Sequence, residues 1–272
     1  MGYLVLSIAA STTIYVVFKL VAKYRLNMAV AISINYLIAS IVGFALMPVK
    51  ISVPTIVQAP WLPIAALIGV LFVAMFFLIG KSTQLAGVSI TALATRMSMV
   101  IPIAASIALF GESFNGAKAF KLLFALGALA LAIYSKPEKQ KSLGAMLLPF
   151  VLFFGSGATD TLVKAAQARY VPDEQLALFS TVLFGTSFFA SLIFLALNFR
   201  NIKKPIAITK TLGTGLILGI ANFGTLFGFV SALNHSKLES SSVFGINNIA
   251  IVSLSILIGS LVFKEKISRL NQ

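Results

Sequence analysis

The chain contains no cysteine, one histidine and seven acidic residues in 272 positions. The missing thiol excludes disulfides, thiolate metal sites and thiol nucleophiles. The lone His235 and the scattered acids leave no HExxH pair and no His or carboxylate cluster, and neither GxSxG nor a P-loop occurs. No nucleophile–base pair can be assembled at sensible spacing. No enzyme activity, cofactor or metal is therefore expected. Charge is scarce as well. Charged residues make up 10% of the chain, whereas a soluble domain carries about a quarter, so this chain cannot cover its surface in water. The net charge of +14 does not indicate nucleic acid, because no basic run is interleaved with aromatics. The basic residues stand in ones and twos at the ends of apolar stretches, where lipid headgroups meet them.

What the chain has in excess is apolar length: 59% of its residues are hydrophobic. Windows of about twenty apolar residues, enough to cross a bilayer, recur near 2–22, 28–48, 61–81, 87–110, 117–134, 144–168, 174–197, 211–233 and 240–262. The expected fold is an all-α polytopic membrane protein, with the lipid bilayer as its first partner. The first window lacks a basic segment before it and an obvious cleavage site, so it reads as a retained helix. The stretch SKPEKQKS, Ser135 to Ser142, is the only charged linker of note. It divides the chain into a unit at 1–135, a linker at 136–142 and a second unit at 143–272.

The two units follow one plan. Ser89 to Glu112 and Ser242 to Glu265, 153 residues apart, share a small polar start, about twenty mostly apolar residues, then Phe, one residue and Glu. At a spacing of 145, Ser11, Tyr15 and Lys19 fall on Ser156, Asp160 and Lys164. Duplicated membrane units are how many transporters build a site between two halves. The first unit holds five spans and the second four, which leads us to expect a tenth span after residue 272. Five spans per unit would make the two units inverted repeats.

Several polar residues stand inside these spans. Thr91, Thr95, Ser98, Pro102 and Ser106 share one face of the fourth span, and Phe244, Asn248, Ile251, Ser255 and Gly259 are their counterparts. Such a strip serves close helix packing or walls a hydrated cavity; for Thr95, Asn247 and Asn248 the cavity is the favoured reading. Pro102 removes a donor and is expected to leave the Ser98 carbonyl unpaired and to kink the helix. Arg96, near mid-span, costs at least ~2.5–3.5 kcal/mol on insertion scales; it either contacts substrate or braces backbone carbonyls. Tyr15 shares a face with Lys19. Lys19 and Lys164 stand near span ends, where snorkelling to headgroups is the alternative. Asp160 marks a proton or ligand site by its depth, and Lys164 one turn away could hold it as a permanent staple or release it for proton coupling. Asn222, Lys81, Gln84, Lys237 and His235 are lesser candidates; His235 is expected just past the eighth span, at the interface. Gly215/Gly219 and Gly224/Gly228 form GxxxG spacings that read as packing. Glu112 and Glu265 end their spans at equivalent places, where they could bind the next helix and are not expected to touch substrate.

Taken together, two five-span units, spans ending LFGE and VFKE, and YVVFKL at the end of the first span resemble the EamA-type transporters of the drug/metabolite transporter superfamily. The resemblance implies a ten-helix inner-membrane (plasma-membrane) carrier with cytoplasmic termini and a central cavity, moving small metabolites, amino acids or drugs, usually outward. It would place Lys19, Thr95, Arg96, Asp160, Asn222, Asn247 and Asn248 at the cavity. The charge bias points the other way on orientation. Loops at 23–27, 135–142, 198–210 and 264–272, which a cytoplasmic N-terminus puts outside, carry most of the loop lysines and arginines, and the positive-inside rule would put the N-terminus outside. The expected function is secondary transport of a small polar or anionic organic metabolite, with protons as a possible coupling ion. The alternative is a non-transporting sensor or assembly factor that holds a lipid or a partner helix in the cavity.

Overall fold

The computed structural model describes residues 2–46, 53–102, 104–105, 116, 143–197, 207–235 and 240–265. The expected fifth span, the linker at 136–142, and Ser106, Glu112 and Lys237 lie outside them. The described chain is helical, and six of its helices are long and apolar enough to cross a membrane. This is the architecture of a multi-pass membrane protein.

The helices, in chain order, are α1 (Gly2–Lys23), α2 (Met28–Ala45), the short α3 (Val53–Val57), α4 (Leu62–Leu85), α5 (Val88–Met97), α6 (Leu143–Tyr170), α7 (Leu176–Leu197), α8 (Ile208–His235) and α9 (Ser240–Leu261). Their starts and stops have local causes. Asn27 caps α2 by accepting the Val30 N–H at 3.0 Å. Pro63 occupies the first turn of α4, where its missing donor costs nothing. Arg25 and Lys264 take left-handed backbone conformations, φ 53° and 52°, just past α1 and α9, so that the following amide folds back onto an open carbonyl: Leu26 N–H donates to Val21 O, and Glu265 N–H to Gly259 O, each at 2.9 Å. His235 is the last residue of α8, so that helix runs slightly further than its apolar window suggests.

The fourth span differs from the expectation of one kinked helix. Helix α5 ends at Met97, residues 98–99 form a turn, and helical structure resumes at 100. The Ser98 carbonyl is not left unpaired opposite Pro102; it accepts the Ile101 N–H at 2.9 Å. The chain answers the missing proline donor with a tighter turn, and Ser98 Oγ donates to Thr95 O at 2.6 Å across the break.

Apart from α3, each helix packs on the next in a closed ring: α1, α8, α2, α7, α4, α6, α5, α9 and back to α1. One side of the ring is filled. Phe18, Ile32, Tyr36, Phe184 and Leu218 form a core among α1, α2, α7 and α8, and the Tyr36 hydroxyl donates to Phe72 O at 2.9 Å, tying α2 to α4. Trp61 is fully buried against Phe179, edge to face, and its indole N–H donates to Gln175 Oε1 at 2.8 Å. Much of the exposed surface is apolar side chain, as a lipid-facing surface requires.

Helix α8 approaches its neighbours closely at its GxxxG glycines. A Cβ on Gly219 would fall 2.7 Å from Asn35 O and 2.6 Å from Ile38 Cβ on α2; one on Gly228 would fall 2.8 Å from Tyr3 O and 2.9 Å from Ser7 N on α1. In both cases the obstacle includes backbone, which cannot turn aside. The packing reading holds for Gly215, Gly219 and Gly228, whereas a Cβ on Gly224 would meet only Ala10 Cβ at 3.5 Å. Gly219→Ala is expected to cost about 1–3 kcal/mol through overpacking, read as a lower apparent melting temperature in detergent, whereas Gly213→Ala, where the added carbon meets nothing within 4 Å, should leave it unchanged.

Candidate functional site

The polar side of the ring is the arc α1, α4, α6, α5 and α9. Tyr15 on α1 is buried, and its hydroxyl lies 2.7 Å from Thr95 Oγ1 on α5. The Thr95 hydroxyl hydrogen is directed to its own helix, at Thr91 O (2.9 Å) and Ala92 O (3.1 Å). Thr95 Oγ1 is therefore the acceptor and Tyr15 the donor. Below them Thr91 donates to Gly87 O at 2.7 Å and accepts from Ser82 Oγ at 2.8 Å. Thr91 and Ser98 are fully buried, which favours packing for these two members of the polar strip. Ser255 is also fully buried, with its hydroxyl unpartnered.

Arg96 follows Thr95 in the last turn of α5, where the helix dipole favours a cation. It is half-buried, and its Nε is buried without a hydrogen-bond partner. Across the α5–α6 contact it lies within electrostatic reach of Asp160. Sequence spacing pairs Asp160 with Lys164 one turn along α6; the fold adds Arg96 from another helix, which spacing alone does not reveal. Asp160 and Lys164 are both exposed.

On α9, Asn247 and Asn248 are buried. Asn248 Nδ2 donates to Met99 Sδ at 2.9 Å, a weak acceptor that lies on the turn ending α5. Asn247 Oδ1 is buried with no partner. Asn222 is placed differently from the other candidates. On α8 its amide donates to Asn35 Oδ1 on α2 at 3.3 Å, and Asn35 Nδ2 is itself buried and unpartnered. Sequence reasoning passed over Asn35, although an amide in mid-span was a visible signal. It also passed over Thr225, which accepts the Ser11 hydroxyl at 3.2 Å.

Lys19 does not reach for headgroups. Its ammonium donates to Glu265 Oε1 at 2.8 Å and to Thr83 O at 3.3 Å. The same carboxylate accepts the Val88 N–H at 3.0 Å on both oxygens, and the Ser89 N–H and Ser89 hydroxyl at 3.4 Å on Oε2. Glu265 thus caps the N-terminus of α5, whose N-cap residue, Gly87, has no side chain to do so. This is a contact with a helix of the first unit; the expected contact of Glu265 with a following helix lies outside the described residues. Gly87 has φ 107°, and a Cβ there would meet Glu265 Oε2 at 2.9 Å, so only glycine combines this turn with this approach.

Among the described residues no group of three or more His, Cys, Asp or Glu could hold a metal ion. Comparison with known proteins adds little chemistry. No family model matches the chain. Over its full length the chain is 26% identical to an uncharacterized protein of Haemophilus influenzae (strain ATCC 51907 / DSM 11121 / KW20 / Rd), 92% of which is covered.

Proposed function

We propose that the chain is a secondary-active transporter of the EamA type within the drug/metabolite transporter superfamily, carrying a small polar or anionic organic metabolite across the inner membrane. The observation that carries this reading is the Arg96–Asp160 arrangement: opposite charges on neighbouring membrane helices, with Arg96 Nε and the nearby helix's Asn247 Oδ1 left without partners. Unmet polar valence inside a bilayer is costly, and a polar ligand that enters there satisfies it. Arg96 takes the anionic group, Tyr15, Thr95, Asn247 and Asn248 line the approach, and Asp160 with Lys164 is the candidate for proton coupling.

The packing pattern supports two repeats. Exchanging α1, α2, α4 and α5 with α6, α7, α8 and α9 turns the α1–α8 contact into α6–α4, α2–α8 into α7–α4 and α1–α9 into α6–α5, and all of these contacts are present. The α2–α7 and α5–α9 contacts map onto themselves. An exchange of this kind is what two units related by a pseudo-two-fold axis require, and rocking of one unit against the other about a midplane site is the mechanism it favours. The test is solute flux in proteoliposomes across a panel of organic anions and amino acids. Flux that saturates with substrate supports transport; ligand binding without flux supports a sensor or assembly factor.

A further inference from the structure

The carboxylate of Glu265 joins α9, whose end it follows, to α1 and α5 of the first unit, across the division that a rocking motion would open. We propose that it is a releasable latch, and that the Lys19–Glu265–α5 contact holds one end of the bundle shut in the conformation seen here. The inference rests on the transport reading, since a latch matters only if the two units move.

The latch is built from the chain outward. The left-handed residue Lys264 turns the backbone back, and Glu265 N–H bonds Gly259 O, which aims the side chain across the α9–α5 seam. There it meets the first amides of α5, which have no acceptor of their own and carry the positive end of the helix dipole. Lys19 arrives from α1 and completes the charge balance. The tie is polar and not sealed in the core, with the Lys19 and Glu265 side chains 23% and 16% exposed. It can therefore be exchanged for hydration, which a dry apolar seam cannot.

The packing is uneven in the sense a closed end demands. Helix α1 also packs on α4 and α5 of its own unit, whereas among the described residues the corresponding pairs, α6 with α8 and α6 with α9, make at most marginal contact. By sequence, Lys164 and Glu112 stand at the positions equivalent to Lys19 and Glu265, Glu112 lying outside the described residues.

The absence of cysteine makes a clean test available. Ser82 is fully buried beside the latch, next to the Thr83 carbonyl that Lys19 engages. Ala39 is fully buried in the core among α1, α2, α7 and α8. Ser82→Cys and Ala39→Cys are each introduced into the full chain in proteoliposomes and labelled with a hydrophilic maleimide. Glu265→Gln, and separately Lys19→Gln, should speed labelling at position 82 about ten-fold and leave position 39 slow. Unchanged labelling at 82 in both variants overturns the latch. Equal acceleration at 82 and 39 also overturns it, since the contact would then hold up the whole fold. Because labelling needs no substrate, a protein that proves unable to transport still reports whether the latch opens, and the two failures are distinguishable.

Discussion

Arg96→Ala is expected to lower kcat/KM for a transported anion about a hundred-fold in proteoliposomes, which at about 1.4 kcal/mol per factor of ten is the loss of one hydrogen bond to a charged group, roughly 1.5–3 kcal/mol. The reason is geometric. Arg96 stands in the last turn of α5, beside the turn at 98–99, with Nε buried and unpartnered. A guanidinium in that state offers donors in a fixed fork to a carboxylate or phosphate. Arg96→Lys keeps the charge and loses the fork, so it should fall between wild type and alanine. Removing Arg96 also strands Asp160 without the cation that acts on it, and that loss must be separated from loss of ligand contact. The double variant Arg96→Ala/Asp160→Asn removes the stranded charge. Flux that stays low in the double variant assigns the effect to ligand binding; flux restored to wild type would mean that Arg96 serves only to brace Asp160, and the site assignment would fail.

The apolar windows located most of the described helices to within a few residues, because twenty consecutive apolar residues in a membrane have few alternatives to a helix. The window near 174–197 became Leu176–Leu197, and that near 2–22 became Gly2–Lys23. The expected single helix at 87–110 is the exception. The hydropathy of the segment does not register the turn at 98–99, which arises from the bonding options around Pro102 and Ser98. The short α3, in a connection between spans, left no periodic signal either.

The candidate site was legible one helix at a time. Tyr15, Thr95 and Arg96 stood out because polar groups are costly in lipid, and the fold brings Tyr15 to Thr95 across α1 and α5. What spacing could not supply was pairing between distant segments. Lys19 and Glu265 are 246 positions apart, and nothing local to either predicts the other. The clue available was negative: α5 begins after Gly87 with no Ser, Thr, Asp or Asn to cap it, so a buried helix start had to borrow an acceptor from elsewhere. Asn222 shows the reverse case, a mid-span amide grouped with the cavity by analogy that the fold sets against Asn35.

Asp160→Asn is expected to act in the opposite direction from Arg96→Ala on binding, and to abolish the response to a pH gradient. With Asp160 ionised, its charge competes with an incoming anion for Arg96. Protonation, or the amide, removes that competition. At an effective dielectric constant of about 20 a unit charge several ångströms away is worth a few kcal/mol, of which ligand binding need recover only about 1.4 kcal/mol for a ten-fold gain in affinity. The asparagine variant should therefore bind an anionic substrate about ten-fold more tightly than wild type above the pH at which Asp160 loses its proton. Wild-type affinity should rise to meet it as the pH falls, while the variant stays flat. Lys164, one turn from Asp160, is the other cation to control for, and Lys164→Gln should shift the wild-type transition without removing it. If proton and anion bind together in this way, they cross together: an imposed pH gradient drives accumulation in wild type, whereas the Asp160→Asn variant equilibrates its substrate and goes no further. Accumulation by the variant equal to wild type would remove Asp160 from the coupling mechanism.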